Sequence, residues 1–511
     1  MSANMDSQKD TKPVVPKDLE GALTLLKKHD DTSRFVGLAL LKPILESELK
    51  DGNASTENER DALVQRCWNA VPGSFLDRLL KARAIEKQSK DEAGNMVALA
   101  VAIVHAFVSL LPHPETDEKV VDRIQLLKAT LRSCNQTVRD QIIAIFHNLA
   151  LTPRGIAAIF TLEATKIGSD QKPDTYLLVT ILLIDIRSTI PSLQELLHSA
   201  KYPAISDRLV KAYDLVSAFI GFLVQSLDQM TFDQDPLLAP VSAPLPVDLL
   251  LKLRTNISET ISLTIEHLRD RYDSSIAGAA GLHPSARNPS NGSSSSPLPL
   301  AWDSSSGMFE DLLTLSQLRT LSLWLRDEEN DALRNEASGL MDVLFALYQH
   351  NGDQDFRSPV LVALEGIVQT PTGIDAFIHE GAWNVLFTDL SNILSQSSRQ
   401  PIGIEIVRIL LTVAESDDTG PPKNDWTSPV SLAQKHLTST TPVSALELPI
   451  AISQLAVELL TRAPRGLRGE YRTPTEEILR SAQSLMKKRD VKAEDREGLE
   501  EVVEGLASLD L

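Results

Sequence analysis

Apolar residues recur at the spacing of an α-helix along almost the whole chain, and this periodicity constrains the fold more than any other feature. Side chains at positions i, i+3, i+4 and i+7 share one face of a helix, whereas a half-buried strand alternates strictly. Strict alternation is scarce here. Typical stripes are Val64, Cys67, Trp68 and Val71; Ile142, Ile145, Phe146 and Leu149; Leu340, Val343, Leu344 and Leu347; and Ile452, Leu455, Ala456 and Leu459. The pattern predicts an all-α protein.

Composition agrees with this interpretation and excludes several classes. Hydrophobic residues make up 42% of the 511 residues, enough for a folded core, while aromatic residues make up only 5%. The formal net charge of −19 argues against nucleic acid as a partner, because phosphate binding needs a concentrated cationic surface. Two cysteines do not make the disulfide framework of a small secreted domain.

An internal echo indicates that the helices form a repeat array. Residues Phe146–Ala158 resemble Leu364–Ala376: in both, an apolar helix stops at Thr-Pro, a glycine follows two residues later, and Ile-x-Ala opens the next helix. We expect the proline to end the helix and the glycine to supply a permissive φ. Gly155 and Gly373 lie 218 residues apart, about five repeats of armadillo or HEAT length. The sequence predicts an armadillo/HEAT-like, right-handed superhelical array.

Breaks in composition predict the domain organisation. Residues 281–307 hold nine serines and four prolines, a composition that does not pack as a helix, and we expect a disordered insertion there. It is either a passive spacer or a phosphorylated segment. The complete prediction is a disordered tail at 1–16, a helical-repeat block at 17–229, a Pro-rich loop at 230–247, a bridging helix at 248–275, the insertion at 281–307 and a second helical-repeat block at 308–511.

The N-terminal third resembles the neurochondrin family of armadillo-like cytoplasmic proteins. The likeness runs over about residues 19–165 in one order and spacing. It is carried by Asp30-Asp31-Thr32-Ser33-Arg34-Phe35 with the leucine-rich Leu38 to Lys42, by Phe75-Leu76-Asp77-Arg78-Leu79-Leu80, by the helix from Val97 to Leu111 followed by Pro112, His113 and Pro114, and by the Thr152-Pro153-Arg154-Gly155 corner.

The resemblance implies a fold and a mode of action. Neurochondrin relatives have no catalytic signature and act as adaptors or scaffolds for signalling proteins, including a kinase. By this resemblance we expect a non-enzymatic scaffold or adaptor that binds signalling or trafficking proteins in its superhelical groove. We expect a kinase or a small GTPase among the partners and the cytoplasm as the compartment, with nuclear entry left open. The alternative is an armadillo-fold regulator of a G-protein or kinase, acting as an exchange factor, chaperone or inhibitor.

A search of the sequence for catalytic constellations finds none. Phosphate-binding loops of the type Gly-x-x-x-x-Gly-Lys-Ser/Thr, the pattern Gly-x-Gly-x-x-Gly, the nucleophile elbow Gly-x-Ser-x-Gly and the zinc motif His-Glu-x-x-His are all missing. The ten histidines are scattered, and we interpret His105 and His147 as hydrogen-bonded histidines of the core or of a groove rather than as metal ligands. We therefore expect no enzyme, no cofactor and no catalytic or metal-binding residue.

One segment near the C-terminus departs from the acidic balance. Residues 461–489 carry eight basic and three acidic residues, a local net charge of +5. Pro474 predicts that part of this segment is a loop. The segment either lies across the acidic body of its own chain, the reading we favour, or it attracts an acidic partner or makes peripheral contact with an anionic membrane. The candidate partner-binding residues are Arg462, Arg465, Arg468 and Arg472.

Overall fold

The computed structural model describes the chain in stretches, and every regular element in those stretches is an α-helix or a short 3-10 turn. The predicted all-α class is confirmed for this part of the chain. The predicted tail at 1–16 and insertion at 281–307 lie outside the described residues, as does most of the predicted loop at 230–247. The described residues are 17–47, 57–82, 90–161, 172–196, 199–232, 245–277, 308, 310–327, 330–396, 400–416, 424–438 and 440–509.

The chain divides into two compact units. The first comprises Met1–Ile186 and Pro203–Ile257, and the second comprises Arg187–Tyr202 and Ser258–Leu511. Helices α10, α11 and α12 contribute to both units. In chain order, the first twelve helices of the described residues are α1 (Lys17–Leu26), α2 (Asp31–Ser47), α3 (Glu57–Ala70), α4 (Gly73–Leu80), α5 (Lys90–Val108), α6 (Glu118–Val121), α7 (Ile124–Leu131), α8 (Gln136–Leu149), α9 (Pro153–Phe160), α10 (Asp174–Thr189), α11 (Tyr202–Phe232) and α12 (Val247–Ala277).

The remaining helices all belong to the second unit. They are α13 (Leu312–Asp327), α14 (Asp331–Ser338), α15 (Met341–Gln349), α16 (Arg357–Ile367), α17 (Pro371–His379), α18 (Ala382–Gln396), α19 (Gln400–Glu415), α20 (Ser428–His436), α21 (Glu447–Arg462), α22 (Arg465–Glu470), α23 (Arg472–Met486) and α24 (Ala493–Ala507).

The second unit is a two-layered array of repeats. In one layer α13 packs on α16, α16 on α19, α19 on α21 and α21 on α24. These five helices begin at residues 312, 357, 400, 447 and 493, at intervals of 43 to 47 residues. In the other layer α14, α17, α18, α20 and α23 contact one another in the same order. The intervals match the 40–47 residues of armadillo and HEAT repeats, and the predicted armadillo/HEAT-like class is confirmed.

The apolar stripes predicted from the sequence form the core. All the members of the four stripes named above are buried. In the first unit Trp68 of α3 packs on Phe107 of α5, with ring centroids 4.8 Å apart, and its indole N–H donates to Asp117 at 2.9 Å. His147 of α8 lies 3.0 Å from a carboxylate oxygen of Asp214, which confirms that it is a hydrogen-bonded histidine of the fold.

The echoed Thr-Pro-x-Gly corners have the same geometry in both units. Each threonine is the N-cap of the following helix: Thr152 Oγ1 accepts from the Gly155 backbone N–H at 3.1 Å, and Thr370 Oγ1 accepts from that of Gly373 at 3.2 Å. The proline occupies the first turn of the new helix, where its missing N–H loses no bond. The corner is therefore a recurring device of the array.

Contrary to our expectation from the sequence, the glycine of each corner is not needed for a permissive φ. Gly155 and Gly373 lie inside helices without a positive φ; among the described glycines only Gly381 has one, at 67°. A Cβ at Gly155 would lie 1.8 Å from the carbonyl oxygen of Leu149, and one at Gly373 would lie 2.0 Å from that of Ile367. The glycine is needed because the end of one helix lies directly against the start of the next.

Two helical segments of the described chain are long and apolar enough to cross a membrane by length and composition, Asp174–Ser192 and Tyr202–Ser226. Core helices of soluble proteins meet the same criteria. Here the two segments share an ion pair, because Arg208 Nε lies 3.3 Å from the buried carboxylate of Asp185. Burial raises the pKa of Asp185, and the attraction of Arg208 acts in the opposite direction. This charged contact joins the two segments within the first unit.

Candidate protein-binding surfaces

The first candidate surface is a groove between α1 and α2, called here the N-terminal groove. It encloses about 760 Å³. Its lining comes from both helices and is apolar at Gly21 and Leu25 of α1 and at Leu40, Pro43 and Ile44 of α2, with the polar Thr24 beside them. Leu40 remains 46% exposed, and the neighbouring Val36 remains 43% exposed. Large apolar side chains beside a concave surface are typical of a binding site.

The sequence builds this groove from two amphipathic helices. The opposite faces of α1 and α2 are fully buried, through Leu19 and Leu23 on α1 and Leu38 and Leu41 on α2. Helix α2 begins after Asp30, whose carboxylate accepts from the Ser33 backbone N–H at 2.6 Å. That bond lowers the pKa of Asp30. The two helices are thus held together by one face, and the groove forms along the other.

Charged side chains form the rim of the N-terminal groove. Asp18 and Lys28 are exposed, one near each end of α1. Glu20 also lines the groove, but its carboxylate already pairs with Arg66 at 2.6 Å. A ligand that lies along α1 therefore meets an acidic group at one end and a basic group at the other.

The second candidate surface is a cleft of about 550 Å³ in the second unit, formed by α12, the turn between α14 and α15, and α17. Arg269 is held by Asp342 at 2.6 Å and by Asp273 at 2.9 Å, and these bonds, led by the one to Asp273, raise its pKa. The carboxylates of Asp375 and Glu380 are exposed in the same cleft. Since its arginine is already engaged, the cleft presents an acidic surface.

A buried polar network lies elsewhere in the second unit. His267 Nδ1 of α12 is 3.2 Å from Oε1 of Gln317 in α13, and the hydroxyl of Tyr202 donates to Asp311 at 2.8 Å. Burial, together with repulsion from Arg271, lowers the pKa of His267 to about 4. Burial also lowers the pKa of Arg271 to about 10. His267 is therefore neutral at neutral pH and acts as a structural link between helices.

The four candidate arginines are distributed over α21, α22 and α23. Arg462 bonds Glu458 at 2.6 Å and donates to the carbonyl oxygens of Glu415 and Ser416, at the C-terminal end of α19. Arg468 donates to the carbonyls of Ala463 and Thr461 at the end of α21. Such contacts satisfy carbonyl groups that a helix end leaves without partners.

The other two arginines lie at the surface. Arg465 is exposed in α22, and Arg472 is exposed while pairing with Glu476 at 3.3 Å. Part of the basic segment is non-helical, at residues 463–464, 471 and 487–489, but Pro474 does not cause these breaks, because it lies in the first turn of α23, where a proline is tolerated. Partner binding by Arg462, Arg465, Arg468 and Arg472 stays a prediction, and Arg465 and Arg472 are its accessible members.

Neither groove holds a recognisable catalytic arrangement, and the described residues contain no cluster of three or more His, Cys, Asp or Glu side chains placed to hold a metal ion. Cys67 is buried, and burial raises the pKa of its thiol to about 11, so the thiolate is scarce at neutral pH. The chemistry that the two surfaces offer is the burial of apolar side chains and the pairing of charges.

Neither surface could be located from the patterns in the sequence. A weak signal for the N-terminal groove was present, because the stretch from Leu38 to Lys42 holds one more leucine than a single buried face needs. Leu40 is that leucine, and it points away from the core. The acidic cleft has no comparable local signal, since α12 and α17 are far apart in the sequence.

Comparison with known proteins agrees with this architecture. A protein of the fission yeast Schizosaccharomyces pombe, named only as uncharacterized, is 23% identical over 473 residues, covering 73% of this chain and 75% of that protein. The crystal structure of an engineered protein is 15% identical, covers 96% of this chain and 100% of its own, and has a TM-score of 0.52, a similarity of fold. A structure from a study of cadherin and β-catenin is 12% identical, covers 96% of this chain and 90% of its own, and has a TM-score of only 0.40.

The family profile named Neurochondrin matches residues 14–167 and 163–409. The match extends far beyond the N-terminal third that carries the resemblance in the sequence, and it includes both candidate surfaces. Because the profile covers more than half of the chain, this protein belongs to the neurochondrin family.

Proposed function

We propose that this chain is a non-enzymatic scaffold or adaptor that binds other proteins, and that the N-terminal groove is one of its binding surfaces. The family and the helical-repeat architecture support a helical scaffold capable of protein binding. The observation that carries the proposal is the exposure of Val36 and Leu40 beside a concave apolar floor. Burying such side chains against a partner is favourable at roughly 25 cal/mol for each Å² removed from water.

The proposal extends to the partner class and the compartment. By its family, we propose signalling or trafficking proteins as partners, with a kinase or a small GTPase first among them, and the cytoplasm as the place of action. The narrower alternative is a regulator that changes the state of such an enzyme. Faster nucleotide release from a GTPase, or altered kinase activity, on addition of the purified chain would favour that alternative over a passive scaffold.

Affinity purification of the tagged full-length chain tests the proposal. The variant Leu40→Asp places a charge in the groove, and Leu151→Asp is its matched control, because Leu151 is 73% exposed outside the groove. We expect the wild type and Leu151→Asp to retain the same defined partners and Leu40→Asp to lose at least one of them. A wild-type chain that retains no protein, or three identical partner sets, would contradict the proposal.

A further inference from the structure

We propose that the occupant of the N-terminal groove is an amphipathic helix of the partner protein, and that Gly21 keeps the groove open for it. This inference rests on the proposed function and makes it specific. The partner helix would lie along α1, place its apolar stripe on Leu25, Leu40 and Ile44, and carry a basic residue near Asp18 and an acidic residue near Lys28.

Two glycines in the same helical hairpin have different surroundings. A Cβ at Gly37 of α2 would lie 3.0 Å from Leu26 Cγ and 3.1 Å from the carbonyl oxygen of Ala22, so the close packing of α1 on α2 explains that glycine. A Cβ at Gly21 of α1 would meet nothing within 4 Å. Packing inside the chain therefore explains Gly37 and does not explain Gly21.

Gly21 makes α1 less stable than most other residues at the same position would. A glycine inside a helix is less favourable than alanine by about 1 kcal/mol. Gly21 lies in the middle of α1 and lines the floor of the groove, where any larger side chain would occupy the space that a ligand needs. At this place in the lining, a glycine lets another molecule approach the backbone of α1 closely.

The groove is long enough to receive a short helix of a partner protein. Its lining along α1 runs from Asp18 to Leu25, about 10 Å at the rise of an α-helix, and continues to Lys28 just past the end of α1, a length that matches two to three turns of a partner helix. An amphipathic helix presents apolar residues at i, i+3, i+4 and i+7, and the apolar members of the lining, Leu25 from α1 and Leu40, Pro43 and Ile44 from α2, would receive them.

The charges at the two ends of the groove differ in sign. Asp18 and Lys28 lie at opposite ends of the groove, and both are exposed. The two charges also suit the dipole of α1 itself, so their placement alone does not identify the ligand. A partner helix with one basic end and one acidic end pairs with both, whereas a helix with two acidic ends or two basic ends meets repulsion at one of them.

The experiment uses peptides as the probe. Peptides of about 14 residues, four turns of helix, with a fixed leucine stripe and random residues elsewhere, are selected by display against the full-length chain. The binding of the selected peptides is then measured by fluorescence polarisation. We expect the selected sequences to carry a basic residue at one end and an acidic residue at the other, and equivalents with two acidic or two basic ends to bind more weakly.

Three variants test whether the peptides occupy the groove. Gly21→Trp fills it and should weaken binding about tenfold or more, a loss readily resolved by titration. Gly21→Ala should weaken binding by a smaller factor, about threefold, because its methyl group takes up part of the space between α1 and the partner helix. Gly221→Trp is the matched control: Gly221 also lies inside a helix with nothing within 4 Å of its Cβ, but it does not line the groove, and we expect unchanged binding.

Two results overturn the inference while leaving the proposed function intact. One is that selection enriches no peptide, or that enriched peptides bind Gly21→Trp as tightly as the wild type. The other is self-association of the full-length chain that Gly21→Trp abolishes in sedimentation, which would identify a second copy as the occupant. A wild-type chain that retains no partner in affinity purification would instead contradict the proposed function.

Discussion

The Thr-Pro-x-Gly corners and the N-terminal groove use the same amino acid in opposite environments. At Gly155 and Gly373 a Cβ would lie 2.0 Å or less from a backbone carbonyl, so the fold has no room for any other residue. At Gly21 a Cβ would touch nothing. The corners serve the stacking of one helix on the next, whereas the groove glycine serves no contact within the chain. Gly221 likewise touches nothing, but it lies outside the groove; the place of Gly21 in the lining of the groove is what connects it to a partner.

The largest effect expected from this contrast is at the corners. Gly155→Ala and Gly373→Ala would each drive a methyl group into a main-chain carbonyl, and we expect each to lower the free energy of unfolding by about 3 kcal/mol or more. Chemical denaturation of the purified chain measures the effect, with Gly221→Ala as the control. An unchanged midpoint for both corner variants would show that the helices can separate slightly there at little cost.

A second effect, of similar size, comes from the buried polar network and depends on pH. The unfolded chain protonates His267 below its ordinary pKa of 6.5, while the folded chain does so only at about 4. Stability is therefore lost as the pH falls from 6.5 to 4, by about 3 kcal/mol as an order of magnitude. Asp185, whose pKa is raised by burial, acts in the opposite direction.

The substitution His267→Gln isolates the histidine from the other groups that titrate over this range. Denaturation of the wild type and of His267→Gln across the range should show a steeper loss of stability in the wild type. Identical pH dependence in the two proteins would mean that His267 is not held neutral in the fold.

The caps of the corners should contribute less. Thr152→Ala and Thr370→Ala each remove an N-cap bond, and we expect a loss of about 1 kcal/mol from each. The loss should be larger for Thr370→Ala, because the buried Thr370 hydroxyl also donates to the carbonyl oxygen of Ile367 at 3.2 Å. Thr255→Ala is the control, since the Thr255 hydroxyl bonds only within its own helix. Thermal denaturation ranks the three variants, and equal losses at the two corners would show that the additional bond of Thr370 contributes nothing measurable.

The smallest effect is a gain of stability. Gly21→Ala should stabilise the chain by about 0.5–1 kcal/mol through helix propensity, because the added methyl group meets nothing. Gly37→Ala in the same hairpin should destabilise it, since its methyl group would crowd Leu26 and Ala22. A loss of stability in Gly21→Ala would mean that a contact within the chain requires this glycine, which would contradict the contrast with Gly37.

The fold could be predicted from the sequence because its determinants are local or periodic. The stripe around Trp68 and the one around Ile145 are each complete within two turns of helix, and both are buried. The Thr-Pro-x-Gly echo likewise needs only four adjacent residues. Its glycine was explained incorrectly, because the steric contact depends on how the preceding helix ends, which the sequence pattern does not show.

The candidate surfaces could not be predicted in the same way. From the sequence, Leu40 would be assigned to the core like its neighbours Leu38 and Leu41. Its exposure depends on the orientation of α2 against α1, which the sequence pattern does not give. The cleft around Arg269 joins helices about 100 residues apart, and its arginine is engaged by Asp342 from another helix. Arg462 and Arg468 read as free basic residues in the sequence, although the carbonyls that they contact are set by the ends of α19 and α21.

Photo-crosslinking in cells tests the central claim most directly. A photoreactive amino acid replaces Leu40 in the groove or, as the control, the exposed Leu151, in the tagged full-length chain. A discrete crosslinked partner at position 40 and none of the same mass at position 151 is the predicted result. Crosslinking of that partner from both positions alike, or from neither, would contradict the assignment of the N-terminal groove as a protein-binding surface.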